Sequence, residues 1–315
     1  EAGRNFANKL WNAGRFVIRS LEQNPTDIKI KSRDALPRED RWILSRLSRA
    51  VSDVTALLDE FQLGEAERTV QDFLWGEYCD WYIELAKVRL RNPKVPSPLP
   101  ILIHVLETSL RLLHPFMPFV TEELWQQLKK HLPPSWQPTE SIIVAPYPEA
   151  DPTTIDPEAE EVIGSLVAII RSIRNARAQY KVVEDKWIEA QIYSEKLVGS
   201  IKPYQESMQT LARAKPVSFI GKELGGKSVE KALVIVLTDA EVVIPMASMF
   251  NIEAEKKRLQ KEIEEGEGEI ARLKARLNDK NFLTRAPTEV VNKERDKLTM
   301  LTDKQERLKE QLLKL

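Results

Sequence analysis

The stretch GKELGGKS, residues 221–228, fits the spacing G-x-x-x-x-G-K-[ST]. In that pattern backbone amides and the N-terminus of a succeeding helix converge on a phosphate. VSFI (217–220) supplies a strand before it, and LVIVLTD (233–239) imitates the apolar strand and aspartate that hold magnesium. The residues between do not fit. Only Val229 to Ala232 separate Ser228 from the next apolar run, too few for the crossover helix that parallel strands require. The stretch therefore reads as a flexible hairpin loop. His104, His114 and His131 show no metal spacing with one another or with Cys79, so no metal ligands are assigned. No Ser/His/Asp set or paired carboxylates emerge either, and catalytic residues within this chain are expected to be none.

Basic surface is better represented. From Arg4 to Arg19 there is no acidic residue. Wound at about 100° per residue, GRNFANKLWNAGRF (3–16) and Val17 stack Phe6, Leu10, Ala13 and Val17 into one apolar stripe. Phe16 misses that stripe by about 80° and falls beside Asn5, Lys9, Asn12 and Arg19. A ring in that company suits an unstacked nucleobase, a contact worth about 1–3 kcal/mol, with amides and cations for base edges and phosphates. Period alone equally allows Phe16 and Trp11 to be buried against neighbouring helices. RSIRNARAQYK (171–181) repeats the bias: Arg171, Arg174, Arg177 and Lys181 flank a stripe of Leu166, Ile169, Ile173 and Tyr180. So does the stretch 274–285, with Lys274, Arg276, Lys280 and Arg285 against Asp279.

These patches matter because the whole chain is neutral. Its 47 basic and 48 acidic side chains cancel over 315 residues, so a polyanion must be met locally. With 42% hydrophobic residues the chain can build a real core. One cysteine excludes an internal disulfide framework and fits a reducing compartment. No apolar run approaches a membrane span, and no signal peptide is visible, so no membrane partner is expected. The opening Glu1, succeeded almost at once by a helix, suggests a piece of something longer.

The elements that must position these residues are mainly helical. After the opening helix come helices from about Glu39 to Phe61 and, past Gly64, from Glu65 to Leu90. RNPKVPSPLP (91–100) is a proline-punctuated turn. A fourth helix runs to about Pro115 and a fifth starts at Pro118. A proline-rich crossing leads to a long helix from about Glu158 to Tyr180. WIEAQIY (187–193), VSFI, LVIVL (233–237) and VVIP (242–245) then read as strands, with a helix near 195–212. From Ile252 a heptad sets in: Ile252, Leu259, Gly266 and Leu273 on d, Lys256, Ile263, Ile270 and Leu277 on a. A second seam runs through Val291, Leu298, Leu301, Leu308, Leu312 and Leu315. The fold expected is mainly α: a helical bundle over 1–158, a long helix with a small α+β module over 159–250, and an antiparallel coiled-coil hairpin over 251–315. Gly266 and Gly268 read as a place where the hairpin can bend, or as tolerated weak spots.

Several segments are familiar. HPFMPFVTEELWQQL (114–128), GEYCDWYIELAK (76–87) and GRNFANKLWNAGRFV (3–17) resemble the anticodon-binding helical domain of class I aminoacyl-tRNA synthetases of the valine, isoleucine and leucine group. RLNDKNFLTRAPTEVVNKERDKL (276–298), after ARAKPVSFIG (212–221), resembles the C-terminal coiled-coil arm of bacterial-type and organellar valyl-tRNA synthetases. An isoleucyl enzyme more often ends in a cysteine-rich zinc module, which a single Cys79 cannot build.

The resemblance implies an enzyme that activates valine with ATP, transfers it to tRNA(Val) and edits mischarged product in a separate domain. HIGH-type and KMSKS-type signatures occur nowhere in this chain, so the piece by itself is expected to be inactive, with no cofactor of its own and ATP belonging to the complete enzyme. Lys9, Arg15 and Phe16, with Asn5 and Asn12, stand where relatives contact the anticodon. Arg171, Arg174, Arg177, Lys181, Lys274, Arg276, Lys280 and Arg285 are assigned to the tRNA backbone and elbow. The expected partners are tRNA(Val) and the enzyme's own N-terminal catalytic and editing domains, in a monomer. The expected compartment is the cytoplasm of a bacterial-type cell, or an organelle stroma or matrix if nuclear-encoded. The alternatives are a coiled-coil protein-interaction module without tRNA binding, or the matching part of an isoleucyl or leucyl enzyme.

Overall fold

The computed structural model describes residues 2–24, 29–92, 94–132, 139–225, 229–249, 252–279 and 287–313. The chain divides into two compact units: Glu1–Ala168 with Pro203–Ser207, and Ile169–Lys202 with Met208–Leu315. The fold is mainly α, with one four-stranded sheet among the described residues.

The first unit contains α1 (Ala2–Gln23), α2 (Arg38–Asp59), α3 (Leu63–Asp72), α4 (Ile83–Leu90), α5 (Leu99–Leu113), α6 (Pro118–Lys129) and the start of α7 (Pro157–Gln179). Its centre is α5. Leu99, Ile101, Leu102, Ile103, Val105, Leu106, Leu110, Leu112 and Leu113 are all buried, so this helix is apolar around nearly its whole circumference. The stripe of α1 is buried as its period requires, with Phe6, Leu10, Ala13 and Val17 inward. Gly14 lets α1 close on α6: a Cβ there would stand 2.6 Å from Leu124 Cδ2.

The single helix expected from Glu65 to Leu90 is interrupted. Between α3 and α4, Phe73–Tyr82 is π-helical, a wider winding that buries Phe73, Leu74, Tyr78, Cys79, Trp81 and Tyr82 together. Tyr78 donates its hydroxyl to the Leu102 carbonyl at 2.8 Å, and Tyr82 donates to Asp40 Oδ1 at 2.7 Å. Arg89 completes that cluster, donating to both Asp40 oxygens and, at 2.9 Å, to the Pro96 carbonyl, which pins the proline turn. Past the end of α2, Phe61 takes the left-handed conformation, with φ +59, and its amide and that of Gln62 close on Leu58 and Leu57.

Asp156 joins α2 to the start of α7. Its Oδ1 accepts the Ala159 amide at 3.0 Å, its Oδ2 lies 3.0 Å from Arg41, and its own amide donates to Ser45 Oγ. Burial opposes ionisation most strongly, but the Ala159 amide together with Arg41 and Arg33 outweighs it and holds this carboxyl below its ordinary value.

In the second unit the sheet comprises β1 (Ile188–Tyr193), β2 (Ala214–Ile220), β3 (Ala232–Val236) and β4 (Glu241–Pro245), in the order β2-β1-β4-β3. β1 pairs parallel with β2 and antiparallel with β4, which pairs antiparallel with β3. Since β2 and β3 occupy opposite edges, the connection holding GKELGGKS is not the hairpin its sequence suggests. The helix expected over 195–212 is broken into α8 (Val198–Ile201) and α9 (Gln205–Ala212), with a 3-10 turn containing Pro203 between them. A short α10 (Met246–Met249) leads to the hairpin of α11 (Ile252–Asn278) and α12 (Thr288–Leu313).

The heptad seam is where the period puts it: Leu259, Ile263 and Leu308 are buried together, with Leu312 against them. Lys304 pairs with Glu262 at 3.0 Å and Lys297 with Glu269 at 2.8 Å across the two helices, which fixes them as antiparallel. Gly266 lies inside an unbroken α11. Gln305 of α12 is buried opposite it and donates Nε2 to the Ile263 carbonyl at 2.6 Å. A Cβ on Gly266 would meet Gln305 Oε1 at 2.5 Å, whereas one on Gly268 would meet nothing within 4 Å.

These contacts make the two glycines unequal. Gly268→Ala should stabilise the hairpin by about 1 kcal/mol, the helix-propensity gain. Gly266→Ala should gain close to nothing, because displacing Gln305 costs a hydrogen bond of about the same size; thermal melts by circular dichroism distinguish the two. Asp156→Ala should cost the first unit about 1–2 kcal/mol through the lost cap. The wild-type contribution is fully present above the unfolded value of 3.8 and is lost as pH falls through the lower folded value. Urea unfolding should therefore show wild type and variant converging below about pH 4.

Candidate nucleic-acid interface

The polar flank of α1 meets the π-helical segment and α4. Phe6 stacks on Trp75 with ring centroids 6.3 Å apart and planes at 20°, and Lys9 Nζ lies 5.7 Å above the same indole. Lys9 also donates to Asp80 Oδ1 at 2.6 Å, so its charge is partly balanced by the protein itself. Phe16 is neither sealed in the core nor fully open. It is half-buried, with Lys87 Nζ 5.3 Å from its ring centroid, and Lys87 is paired in turn with Glu84 at 2.6 Å. Asn5, Asn12 and Arg15 are exposed, as are Arg4 and Arg19.

This face therefore carries Lys9 and Phe16 on one flank about two turns apart, with amides and cations open to solvent along the same helix. Arg15 projects from a different side of α1, since it precedes Phe16 by one residue and so stands about 100° away. The residues that reasoning from sequence missed are Trp75 and Lys87. Both come from the segment 73–90, where the π-helical stretch breaks the 3.6-residue period that would have shown which side chains face α1.

The second set of cations is dispersed. Arg171 and Arg174 are exposed on α7, and Arg174 Nε donates to the Leu211 carbonyl at 2.8 Å. Arg177 is a correction: it is buried at 8% exposure, and its guanidinium donates to the carbonyls of Lys186, Val183, Glu184 and Arg213. Four residues after Ile173, it falls only about 40° from the apolar stripe, so the helix turns it inward. Lys181 is exposed in the left-handed cap of α7, with φ +50, and its charge acts on Glu262 of α11. Lys274 is exposed on α11, and Arg276 donates to Glu294 at 3.0 Å. Lys280 and Arg285 lie outside the described residues.

The phosphate-loop motif has an internal explanation. Leu224 and Gly225 donate their amides to Glu241 Oε2 at 2.7 and 3.0 Å, with Gly225 at φ +67. A buried carboxylate of β4 thus occupies two of the loop's backbone amides. Gly226, Lys227 and Ser228 lie outside the described residues.

A helical bundle with an aromatic and basic flank, then a small sheet module and a coiled-coil hairpin, is the succession of elements that the resemblance to class I tRNA ligases leads one to expect. Comparison with known proteins agrees. A family model described as the anticodon-binding domain of tRNA ligase matches residues 40–192, and one described as the valyl tRNA synthetase tRNA binding arm matches residues 251–315. Valine–tRNA ligase of Dehalococcoides mccartyi (strain CBDB1) is 52% identical over 309 residues, covering 98% of this chain and 35% of the relative. That of Carboxydothermus hydrogenoformans is 40% identical over 317 residues, covering 99% and 34%. That of Thermotoga maritima is 35% identical over 308 residues, covering 98% and 34%. The chain belongs to the valyl-tRNA synthetase family, and it spans about a third of the length of the curated relatives it matches.

Cys79 lies next to Asp80 at the heart of this face yet turns inward. Burial pushes its thiol up to about 12, with Lys9 opposing the shift and Asp80 adding to it. At pH 8 an alkylating reagent should therefore leave the folded chain unmodified and label it in step with urea unfolding, because the thiolate is the reactive form. Being the only cysteine, it makes mass spectrometry of the adduct a direct report on the first unit.

Proposed function

We propose that this chain is the C-terminal, tRNA-holding portion of a valine–tRNA ligase, an enzyme that attaches valine to tRNA(Val) at the expense of ATP. The observation that carries the reading is continuity. One relative of that name aligns over 309 residues at 52% identity, through both the helical bundle and the hairpin. In this reading α1 meets the anticodon through Lys9, Arg15 and Phe16, with Asn5 and Asn12 contacting base edges. The hairpin, with Lys274 and Arg276, leans toward the tRNA elbow. Arg171, Arg174 and Lys181 add cationic surface along the way, whereas Arg177 serves by holding the chain beside them. Valine activation, ATP binding and editing belong to the remainder of the enzyme, and the piece acts as a monomer without a cofactor of its own.

The test is fluorescence anisotropy of a tRNA(Val) transcript with the full chain across a salt series. Binding should weaken steeply with salt, as phosphate contacts require. Phe16→Ala should lower affinity by about 1–3 kcal/mol with unchanged helical content. The isolated chain should catalyse no valine-dependent exchange of pyrophosphate into ATP. Absence of tRNA affinity at low salt would overturn the reading and favour a coiled-coil protein-interaction module.

A further inference from the structure

The face built on α1 leaves one aromatic of the second unit unused. Trp187 immediately precedes β1 and is 48% exposed. Strand alternation explains its direction: Ile188, Ala190 and Ile192 are buried, so Trp187 and Glu189 face outward. On the adjacent edge strand Ala214 and Val217 face inward, while Arg213 and Lys215 are exposed. The Ile188 amide donates to the Arg213 carbonyl at 3.2 Å, so the two strands begin side by side. Two exposed cations thus stand at the start of the strand paired with β1, Arg213 just before β2 and Lys215 within it, with Glu189 next on the indole's own strand.

The segment that presents this ring is fixed. Arg177 Nη1 donates to the Lys186 carbonyl at 2.7 Å and Nη2 to that of Val183 at 3.0 Å. Lys186 Nζ donates to the Met249 carbonyl at 2.9 Å, and the Arg213 guanidinium donates to the Glu184 carbonyl. A large apolar ring is thus held out of the core by hydrogen bonds to the backbone on either side of it. A surface group ordered in advance loses little further entropy when a partner arrives. Phe119, Ile143 and Val144 are still more exposed, but their segments carry no comparable pair of flanking cations.

We propose that Trp187 is a stacking platform for an unpaired base of the bound tRNA, with Arg213 and Lys215 meeting the adjoining phosphates. This rests on the tRNA-holding reading and extends it to a site in the sheet module. Aromatic rings on a sheet surface, flanked by basic side chains, hold single-stranded bases through their π-faces. In sequence, Trp187 falls near the end of the segment that matches the anticodon-binding family and ahead of the segment that matches the tRNA-binding arm.

Anisotropy of the tRNA(Val) transcript with the full chain decides it. W187A should weaken binding roughly 5- to 140-fold, with W187F retaining most of the affinity and circular dichroism unchanged for both. K215A should lower the slope of log K against log salt by about 1, and it decides the matter if W187A fails to fold. Wild-type affinity in W187A, or W187F as weak as a folded W187A, overturns the platform and leaves the ring to face protein instead. If the wild-type chain does not bind the transcript, the tRNA-holding reading itself falls, an outcome distinct from the failure of this site.

Discussion

A cation is drawn to whichever anion is nearest and best oriented, and this chain carries 48 acidic side chains against 47 basic ones. Any surface that is to hold a polyanion must therefore be kept from the protein's own carboxylates. Asp80 holds Lys9, Glu84 holds Lys87, and Glu294 holds Arg276. Backbone carbonyls engage Arg177 completely enough to bury it. Even the glycine-loop amides at Leu224 and Gly225 are filled by Glu241. Along α1 from Arg4 to Arg19, where the sequence has no acidic residue, Arg4, Arg15 and Arg19 are exposed.

Most of the fold could be read from period alone. The stripes of α1 and α5 and the heptads of the hairpin are buried where 3.6- and 3.5-residue spacing put them, because each helix has one apolar face to hide. The strands were legible from β-branched runs for the same reason. What period could not supply was the partner across the contact. Gly266 looked like a weak spot because its value depends on Gln305, which is distant in sequence and lies on the other arm of the hairpin. Arg177 looked like surface because its charge was counted before its angle. The glycine loop read as a hairpin because nothing local shows that β2 and β3 lie on opposite edges, or that Glu241 holds two of the loop's amides. At the candidate interface, Phe16 and Lys9 were legible from α1, but Trp75 and Lys87 were hidden by the π-helical winding that delivers them.

The same preference for internal partners accounts for how the buried charges contribute to order. Asp40 collects Tyr82 and Arg89 in the core of the first unit, while Arg89 also reaches the Pro96 carbonyl. Such a cluster adds little net stability over an apolar one, since desolvation offsets much of the attraction. Its effect here is positional: it ties the start of α2, the end of α4 and the proline turn to one point. Asp156 does the same between α2 and α7. Both sites use a carboxylate to fix geometry, and both keep it well buried, away from any external anion.

Whether the α1 flank can accept a base turns on the Lys87 cap over Phe16. An exposed cation–π contact is worth about 0.5–1 kcal/mol. The partly exposed Lys87–Glu84 pair adds about 0–1 kcal/mol. Stacking of a base on the ring returns about 1–3 kcal/mol, and a displaced ammonium beside a nucleotide gains a phosphate in place of the ring. The exchange is close to balanced before the phosphate is counted and favourable after it. In the proposed reading Lys87 is a placeholder: it covers an apolar ring while the site is empty and leaves at small cost. A ring fully sealed by apolar neighbours could not be opened so easily, and one left bare would be a standing liability on a solvated surface. On that reading, half-burial of Phe16 under a removable charge is the compromise by which one aromatic serves both the packed bundle and an incoming base.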